Sequence, residues 1–125
     1  MGQAGPIDMA DYMKALAARA GVLRAWQLFM QTYPLVLGPV STAPAFIAGA
    51  DVASAESSAA ISRTQNLLMA VNYLGLPAAA VPAGVIGGLP QRVQVIAARY
   101  REDLALDAAE AIEARLALPT PIDPR

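Results

Sequence analysis

The chain has 125 residues, a formal net charge of −1, and neither cysteine nor histidine. It therefore offers no disulfide framework, no Cys/His zinc site, no Ser-His or Cys-His catalytic pair, and no basic surface for nucleic acid or anionic lipid. Apolar residues make up 56% and charged residues 15% of the sequence, against about 45–50% and about 25% in ordinary soluble domains. We expect a second copy or a larger partner chain to cover this apolar excess, and we expect no cofactor or metal.

The first predicted element is a long helix, which Asp8 or Asp11 can cap. Its apolar residues form one stripe at helical spacing and a second stripe on another face, toward the C-terminal end. The first stripe comprises Met9, Met13, Leu16, Ala20, Leu23 and Met30, and the second comprises Val22, Trp26, Phe29 and Tyr33. A helix that is apolar on two faces is expected to be buried on two sides. We predict that the second stripe is an interface or core surface; a ligand-binding wall is the alternative.

No targeting or membrane-spanning segment is predicted. The first residues lack a basic flank followed by an apolar run, so we expect no signal peptide and a cytoplasmic location. Two long stretches without charge, residues 25–50 and 64–91, are interrupted by prolines and glycines. Missing backbone donors would be costly in lipid, so buried strands are favoured over membrane insertion.

Prolines delimit the segment that follows the first helix. Pro34 ends the helix, and a short buried strand at 35–37 is ended by Pro39. Residues 41–52 contain proline, glycine and small residues. This composition predicts a loop between the first strand and the next helix.

The second predicted helix covers residues 59–73. Gly75 and then Pro77 follow it, an order typical of a helix end, because glycine adopts the left-handed conformation and proline cannot continue the helix. Three residues upstream can cap its N-terminus: Asp51, Ser54 and Ser57. The sequence leaves all three open.

The next two segments, 78–83 and 93–98, are apolar on both faces, which predicts strands covered by helices on each side. The glycine-rich residues 84–90 between them predict an antiparallel hairpin, because a parallel crossover needs a dozen or more residues. A last helix is predicted from Glu102-Asp103 to about Leu116.

The predicted fold class is α/β, with a layer of helices on a small mixed sheet. The element order is helix, strand, helix, strand, strand, helix, with no internal repeat. We expect a single domain over residues 1–125, in which 117–125 form a proline-rich tail.

Few residues of the chain are suited to catalysis. Ser57-Ser58 is the only serine pair, and no glycine flanks it, although backbone amides must approach an oxyanion closely. Lys14, the only lysine, lies off the first apolar stripe of its helix. Helix capping is favoured over a nucleophilic role for the serines, and a hairpin turn over a phosphate loop for the glycines at 84–88. We assign no catalytic residue.

One run of features in the second half of the chain is specific. Asn72-x-x-Gly75-x-Pro77 is followed by a small apolar strand that ends in Pro82-Ala83-Gly84, by Gly88-Leu89-Pro90, and by a strand that carries Gln94. This order resembles the C-terminal part of amidase signature hydrolases. Two loops depart from the family's pattern: Gly38-Pro39-Val40 and Gln91-Arg92.

The resemblance implies part of an enzyme that cleaves amide bonds with two serines and a lysine, in a segment that this sequence does not contain. The chain would then supply scaffold strands and part of the substrate pocket, would be silent alone, and would pair with a chain carrying the catalytic core. Asn72 is the candidate substrate-positioning residue; a hydrogen bond to neighbouring backbone is the alternative. A free-standing homo-oligomeric module derived from an amidase is the second hypothesis, and an unrelated small enzyme is the third.

Overall fold

The computed structural model describes residues 6–116. Within them, five helices accompany one three-stranded sheet. The elements are α1 (Met9–Thr32), β1 (Leu35–Pro39), α2 (Ala50–Ala53), α3 (Ala55–Thr64), α4 (Asn66–Leu74), β2 (Ala78–Ile86), β3 (Leu89–Ala97) and α5 (Glu102–Glu113). The predicted α/β class is confirmed. The tail predicted at 117–125 lies outside the described residues.

The sheet has the strand order β1-β3-β2. Leu35 of β1 lies opposite Ala97 of β3, and Ala78 of β2 lies opposite Ile96. The small mixed sheet expected from the sequence is antiparallel at both of these pairings. Between β2 and β3 the reason is local: Gly87-Gly88 adopts positive φ at both residues, and such a tight turn returns the chain beside the strand it has left.

Local sequence signals determine two helix ends. The Asp8 side chain caps α1 by accepting a hydrogen bond of 2.8 Å from the backbone N–H of Asp11. Gly75 follows α4 in the left-handed conformation, with φ 68° and ψ 43°. The N–H of Leu76 then donates to the carbonyl of Val71 at 3.1 Å, as expected for a glycine-terminated helix.

The second predicted helix is divided into α3 and α4 at Gln65, and the predicted loop before it contains the start of the short α2. Ser54 is the N-cap of α3, since its Oγ accepts a hydrogen bond of 3.0 Å from the N–H of Ser57. The division has a non-local cause. The carbonyl of Thr64 accepts a hydrogen bond of 2.9 Å from the N–H of Thr42, which lies on the loop after β1.

Two apolar clusters lie on opposite faces of β3, because successive side chains of a strand point to opposite faces. One cluster contains Leu23, Met30, Val71, Leu74, Leu76 and Ile96. The other contains Val81, Val95 and Ala109. The sheet is therefore covered by α1 and α4 on one face and by α5 on the other.

Helix α1 extends well past the sheet on which it packs. Its 24 residues span about 36 Å at 1.5 Å per residue. Leu23 and Met30 are its buried residues, whereas Met9 is 73% and Met13 is 56% exposed. The two-sided burial expected for this helix is thus not found within the described residues, because no other described element covers its N-terminal half.

Candidate functional site

A cleft of about 360 Å³ opens where β1 ends and β3 begins. Three segments that are distant in sequence meet there: the loop after β1, the junction of α3 and α4, and the first residues of β3. The lining residues are Val40, Ser41, Ala43, Pro44, Ala45, Phe46, Gln65, Pro90, Gln91 and Arg92. The cleft has both polar and apolar walls and joins segments that are distant in sequence, so we take it as the candidate site.

Hydrogen bonds to the end of α3 hold the loop that forms one wall of the cleft. Thr64 Oγ1 donates to the carbonyl of Ile61 at 2.7 Å and accepts from Ser41 Oγ at 3.2 Å. The N–H of Ala43 donates to Ser41 Oγ at 3.2 Å. With the bond from Thr42 to the Thr64 carbonyl, these contacts attach the loop to the helix junction and hold this wall of the cleft in place.

Gln94 connects the central strand to the entrance of the same loop. Its Nε2 donates a hydrogen bond of 2.9 Å to the carbonyl of Pro39, the residue that precedes the first lining residue, Val40. Gln94 is 2% exposed, and its Oε1 has no hydrogen-bond partner in the described part of the chain. The side chain therefore has a positioning role at the base of the cleft wall.

The chemistry of the cleft suits binding rather than bond cleavage. Arg92 is the charged residue of the lining, Ser41, Gln65 and Gln91 supply neutral polar groups, and Phe46 supplies an aromatic ring. A nucleophile must lie beside a base to be activated, and this lining contains no carboxylate, lysine or histidine to serve as one. Residues 6–116 also contain no group of three or more Asp or Glu residues placed to hold a metal ion.

The structure places the serine pair away from the cleft lining and gives it a structural role. Ser57 Oγ donates to the carbonyl of Ala50, and the N–H of Ser58 donates to the carbonyl of Ser54 at 2.9 Å. Lys14 is equally remote from catalysis: its Nζ lies 2.9 Å from a carboxylate oxygen of Asp11, and its side chain is 77% exposed.

Asn72 lies in the last turn of α4 and is exposed. Its backbone carbonyl accepts a hydrogen bond of 3.2 Å from the N–H of Gly75, while its side chain makes no hydrogen bond within residues 6–116. Gln65, which lines the cleft, is at the opposite end of α4. The structure therefore does not bring Asn72 to the cleft, and its assignment as a substrate-positioning residue stays a prediction.

The second apolar stripe of α1 forms a continuous surface near the C-terminal end of the helix. Val22, Phe29 and Tyr33 are between 50% and 57% exposed, and the rings of Phe29 and Tyr33 lie 4.9 Å apart between centroids. Trp26 is partly buried against the first core cluster. An apolar hollow of about 390 Å³ adjoins this surface and is lined by Ala25, Trp26, Phe29 and Val36.

An exposed ion pair marks the start of α5. The Arg101 side chain donates hydrogen bonds of 2.9 Å and 2.8 Å to the two carboxylate oxygens of Asp103. This hydrogen bonding lowers the pKa of Asp103 and raises the pKa of Arg101. The two side chains are 49% and 58% exposed, so the pair is a surface feature of the helix end and no part of the cleft.

Sequence patterns alone did not identify the cleft, although a signal for it was present. The two loops that depart from the amidase pattern, Gly38-Pro39-Val40 and Gln91-Arg92, are distant in sequence. In the structure, Val40 lines the cleft together with Gln91 and Arg92. The two loops that differ from the amidase pattern therefore both contribute to the lining of the cleft.

The family of this chain follows from comparison with known proteins. The family model described as Amidase matches residues 3–106, which is most of the chain. The chain therefore belongs to the amidase family, as the resemblance predicted. Within the described residues, no helix has both the length and the apolar character needed to cross a membrane.

The relatives are much longer proteins. The chain is 47% identical over 114 residues to an indoleacetamide hydrolase of Bradyrhizobium japonicum, covering 90% of this chain and 24% of that protein. A second indoleacetamide hydrolase, from Bradyrhizobium diazoefficiens, is 46% identical over 120 residues, which cover 90% of this chain and 22% of that protein. The A subunit of the glutamyl-tRNA(Gln) amidotransferase of Pediococcus pentosaceus is 32% identical over 111 residues, which cover 89% of this chain and 22% of that protein. The chain thus spans about a quarter of the length of the curated relatives that it matches.

Proposed function

We propose that this chain is the C-terminal scaffold and pocket-forming segment of an amide-bond hydrolase, and that it is catalytically silent without the rest of that enzyme. The observation that carries the proposal is its membership of the amidase family combined with coverage of 22–24% of the relatives' length. The remaining three quarters would then contain the serine pair and lysine that the resemblance implies. The partner is accordingly a polypeptide that carries the amidase catalytic core.

The cleft is the part of this segment that we assign to the substrate pocket. Its wall combines an aromatic ring, that of Phe46, with the side-chain amides of Gln65 and Gln91. An aromatic ring packs against an apolar surface, and an amide group both donates and accepts hydrogen bonds. The relative with 47% identity is named for indoleacetamide, which has both groups, so we propose an arylacetamide as the substrate class.

Catalytic silence of the isolated chain is supported by the contacts of its candidate groups. The hydroxyl of Ser57 is already bonded to the carbonyl of Ala50, and Lys14 is bonded to Asp11 on an exposed helix face. No described lysine approaches a described serine closely enough to form a nucleophile-base pair. The chain would therefore need groups from the partner for any bond cleavage.

Complementation tests this proposal. The chain is co-expressed with the remainder of the Bradyrhizobium japonicum relative outside its matched segment, and ammonia release from indole-3-acetamide is measured. Hydrolysis is expected in the complex and in neither polypeptide alone. Ser57→Ala should leave hydrolysis by the complex unchanged. Hydrolysis by the isolated chain that is abolished by Ser57→Ala would contradict the proposal.

A matched pair of variants tests the pocket assignment within the same complex. Phe46 lines the cleft and is 45% exposed, whereas its neighbour Ile47 is 85% exposed and does not line it. Phe46→Ala should raise KM several-fold, because it removes an apolar contact with the substrate. Ile47→Ala should leave KM unchanged. Equal effects of the two variants would exclude the cleft as the pocket wall.

The second candidate function is a free-standing homo-oligomeric module. The exposed surface of Val22, Phe29 and Tyr33 favours it, because a small body seldom leaves so much apolar area uncovered. Sedimentation of the isolated chain distinguishes the two: a stable oligomer that Phe29→Asp dissociates, together with no binding to the relative's remainder, would favour the module. The cytoplasmic location expected from the sequence stays a prediction.

A further inference from the structure

Arg92 is the charged residue of the cleft lining, and it has no counter-ion among the described residues. The ion pairs found within residues 6–116 lie on α1 and at the start of α5, so neither involves Arg92. Its side chain also makes no hydrogen bond in this part of the chain. A guanidinium has five N–H donors and no acceptor, so the cleft wall presents a positive charge whose donors the described protein does not use.

The alternation of side chains along β3 directs Arg92 to the face that carries the cleft. Val93 packs against the apolar cluster on the α5 side of the sheet, so the residues before and after it point to the opposite face. Gln94 is one of these, and it holds the carbonyl of Pro39 at the start of the cleft loop. Arg92 is the other, and it lies opposite Pro82, beside an irregularity in the register of β2.

Two side-chain amides of the cleft are also without partners. Gln65 precedes α4 and makes no capping hydrogen bond, and the side chains of Gln65 and Gln91 make no hydrogen bond within residues 6–116. Ser41 differs, because its hydroxyl already donates to the carbonyl of Ala43 at 2.9 Å. The free side-chain donors of the cleft are therefore one guanidinium and two amide groups.

These donors suit a carboxylate ligand. A guanidinium pairs with both oxygens of a carboxylate through parallel N–H bonds, and hydrogen bonds to a charged acceptor are stronger than those between neutral groups. The lining contains no carboxylate of its own, so a ligand that brings one meets no like charge there. A neutral ligand would leave the Arg92 donors to water.

We infer that the cleft binds a carboxylate group through Arg92, with the side-chain amides of Gln65 and Gln91 as additional donors. The inference rests on the proposed function, because the cleft is the pocket wall that we assign to the hydrolase. Arg92 lies in one of the two loops that depart from the amidase pattern. The carboxylate site would therefore distinguish this chain from the general pattern of the family.

Two sources supply such a carboxylate. Hydrolysis breaks the C–N bond of the amide, joins the oxygen of water to the acyl carbon and releases ammonia, which takes up the proton of the acid. A neutral arylacetamide thus leaves an arylacetate anion. The second source is a substrate whose acyl part already carries a carboxylate. In the first case Arg92 retains the product, and in the second it selects the substrate.

Titration of the isolated chain tests carboxylate binding without catalysis. NMR chemical shifts give its affinities for indole-3-acetate and indole-3-acetamide, which share the ring and differ in charge. The acetate should bind about 3–10 times more tightly, and raising the salt concentration should weaken this preference. Arg92→Gln should remove the preference. Arg63→Gln, which replaces an exposed arginine of α3 outside the lining, should keep it.

The NMR spectrum of each variant shows whether its fold is retained. If Arg92→Gln does not fold, the salt dependence measured on the unaltered chain decides. Binding of the acetate that is insensitive to salt would then overturn the inference, because pairing of an exposed guanidinium with an anion is screened by salt.

Kinetics of the complex with the relative's remainder distinguish the two sources. If the product is the source, Arg92→Gln should raise the inhibition constant of indole-3-acetate about 3–10-fold and change KM for indole-3-acetamide much less. If the substrate is the source, the variant should raise KM for 4-carboxyphenylacetamide by the same factor relative to KM for phenylacetamide.

The outcomes separate this inference from the proposed function. A complex that hydrolyses amide, but in which Arg92→Gln changes neither the inhibition constant nor the ratio of KM values, would overturn the carboxylate site alone. Absence of hydrolysis by the complex would overturn the proposed function, and the titration would then decide the site. Equal affinity of the chain for the acetate and the acetamide, or binding of neither, would overturn it.

Discussion

Gln94 Nε2 donates a hydrogen bond of 2.9 Å to the carbonyl oxygen of Pro39, which joins the middle strand of the sheet to the loop that lines the cleft. The two residues are 55 positions apart in sequence. Because Gln94 Oε1 has no partner within the described residues and the side chain is 2% exposed, the site favours a neutral group. A charge there would be desolvated without compensation.

Gln94→Glu should destabilise the fold in a pH-dependent way. Burial raises the pKa of a carboxyl group above its unfolded value of about 4.3, and each unit costs about 1.4 kcal/mol when the group is ionised. The penalty is absent below the unfolded pKa and is complete above the folded pKa. The variant should therefore melt well below the wild type at pH 7 and approach it near pH 4.

Thermal melting at both pH values measures this effect, with Gln27→Glu as the control. Gln27 is exposed on α1, so a carboxylate there remains hydrated. The difference in melting temperature between Gln27→Glu and the wild type should therefore be similar at pH 7 and near pH 4. A difference between Gln94→Glu and the wild type that is the same at both pH values would exclude a buried, uncompensated charge.

Gly75→Val should be strongly destabilising because of backbone conformation. Gly75 has φ 68°, where a β-branched residue is strained by about 1–3 kcal/mol. Space is not limiting, since an added Cβ would lie 3.6 Å from the Arg19 guanidinium. Urea denaturation measures the loss. Gly21→Ala, in open space within α1, should instead stabilise by about 0.5–1 kcal/mol. An unchanged urea midpoint for Gly75→Val would mean that α4 ends elsewhere.

Gly38→Ala should destabilise the fold, because Gly38 of β1 lies close to the Leu67 side chain of α4. A Cβ at Gly38 would overlap Leu67 Cδ2, the end of a side chain that can shift, so the overpacking should cost about 1 kcal/mol, the low end of the usual range. Leu67→Ala removes the obstructing atoms, so the double variant should lose about 1 kcal/mol less than the sum of the single variants.

Chemical denaturation of the four proteins in this cycle measures the coupling. Met69 is on the same helix and 51% exposed, so a second cycle with Met69→Ala should be additive within error. Additivity in both cycles would show that Gly38 has more room than the structure indicates.

Ser54→Ala and Ser58→Ala should differ in stability although both replace a serine near the start of α3. Ser54 Oγ accepts the N–H of Ser57, and loss of such a cap costs about 0.5–2 kcal/mol. The hydroxyl of Ser58 makes no hydrogen bond within residues 6–116, so its replacement should change stability by less than about 0.5 kcal/mol. Thermal melting of the two variants measures the difference, and the reverse order would contradict the cap assignment.

Sequence patterns predicted the features of this fold that depend on neighbouring residues. The cap of α1 was predicted at Asp8 or Asp11 and is Asp8, Gly75 ends α4, and Gly87-Gly88 turns the chain between β2 and β3. Each of these depends on a property of the residue itself: a side-chain acceptor in one case and tolerance of positive φ in the others. Such properties are visible without knowledge of the fold.

The features that sequence patterns missed depend on contacts between distant segments. The helix predicted over 59–73 divides because Thr42 donates to the carbonyl of Thr64, and no residue near Thr64 indicates that contact. The exposure of Met9 and Met13 depends on how far α1 extends past the sheet. The cleft depends on the approach of Val40 to Gln91 and Arg92, which only the assembled sheet brings about.

Pro82 limits how far copies of this chain could assemble through their sheet edges when the chain is in excess of any partner. Two copies that paired through β1 would each present β2 as the new outer strand, and Pro82 with its irregular register interrupts further pairing there. Growth would stop at a closed pair, because a fibre requires both edges of every unit to accept a neighbour. Pro82 and the irregular register beside it would thus limit such assembly to two copies.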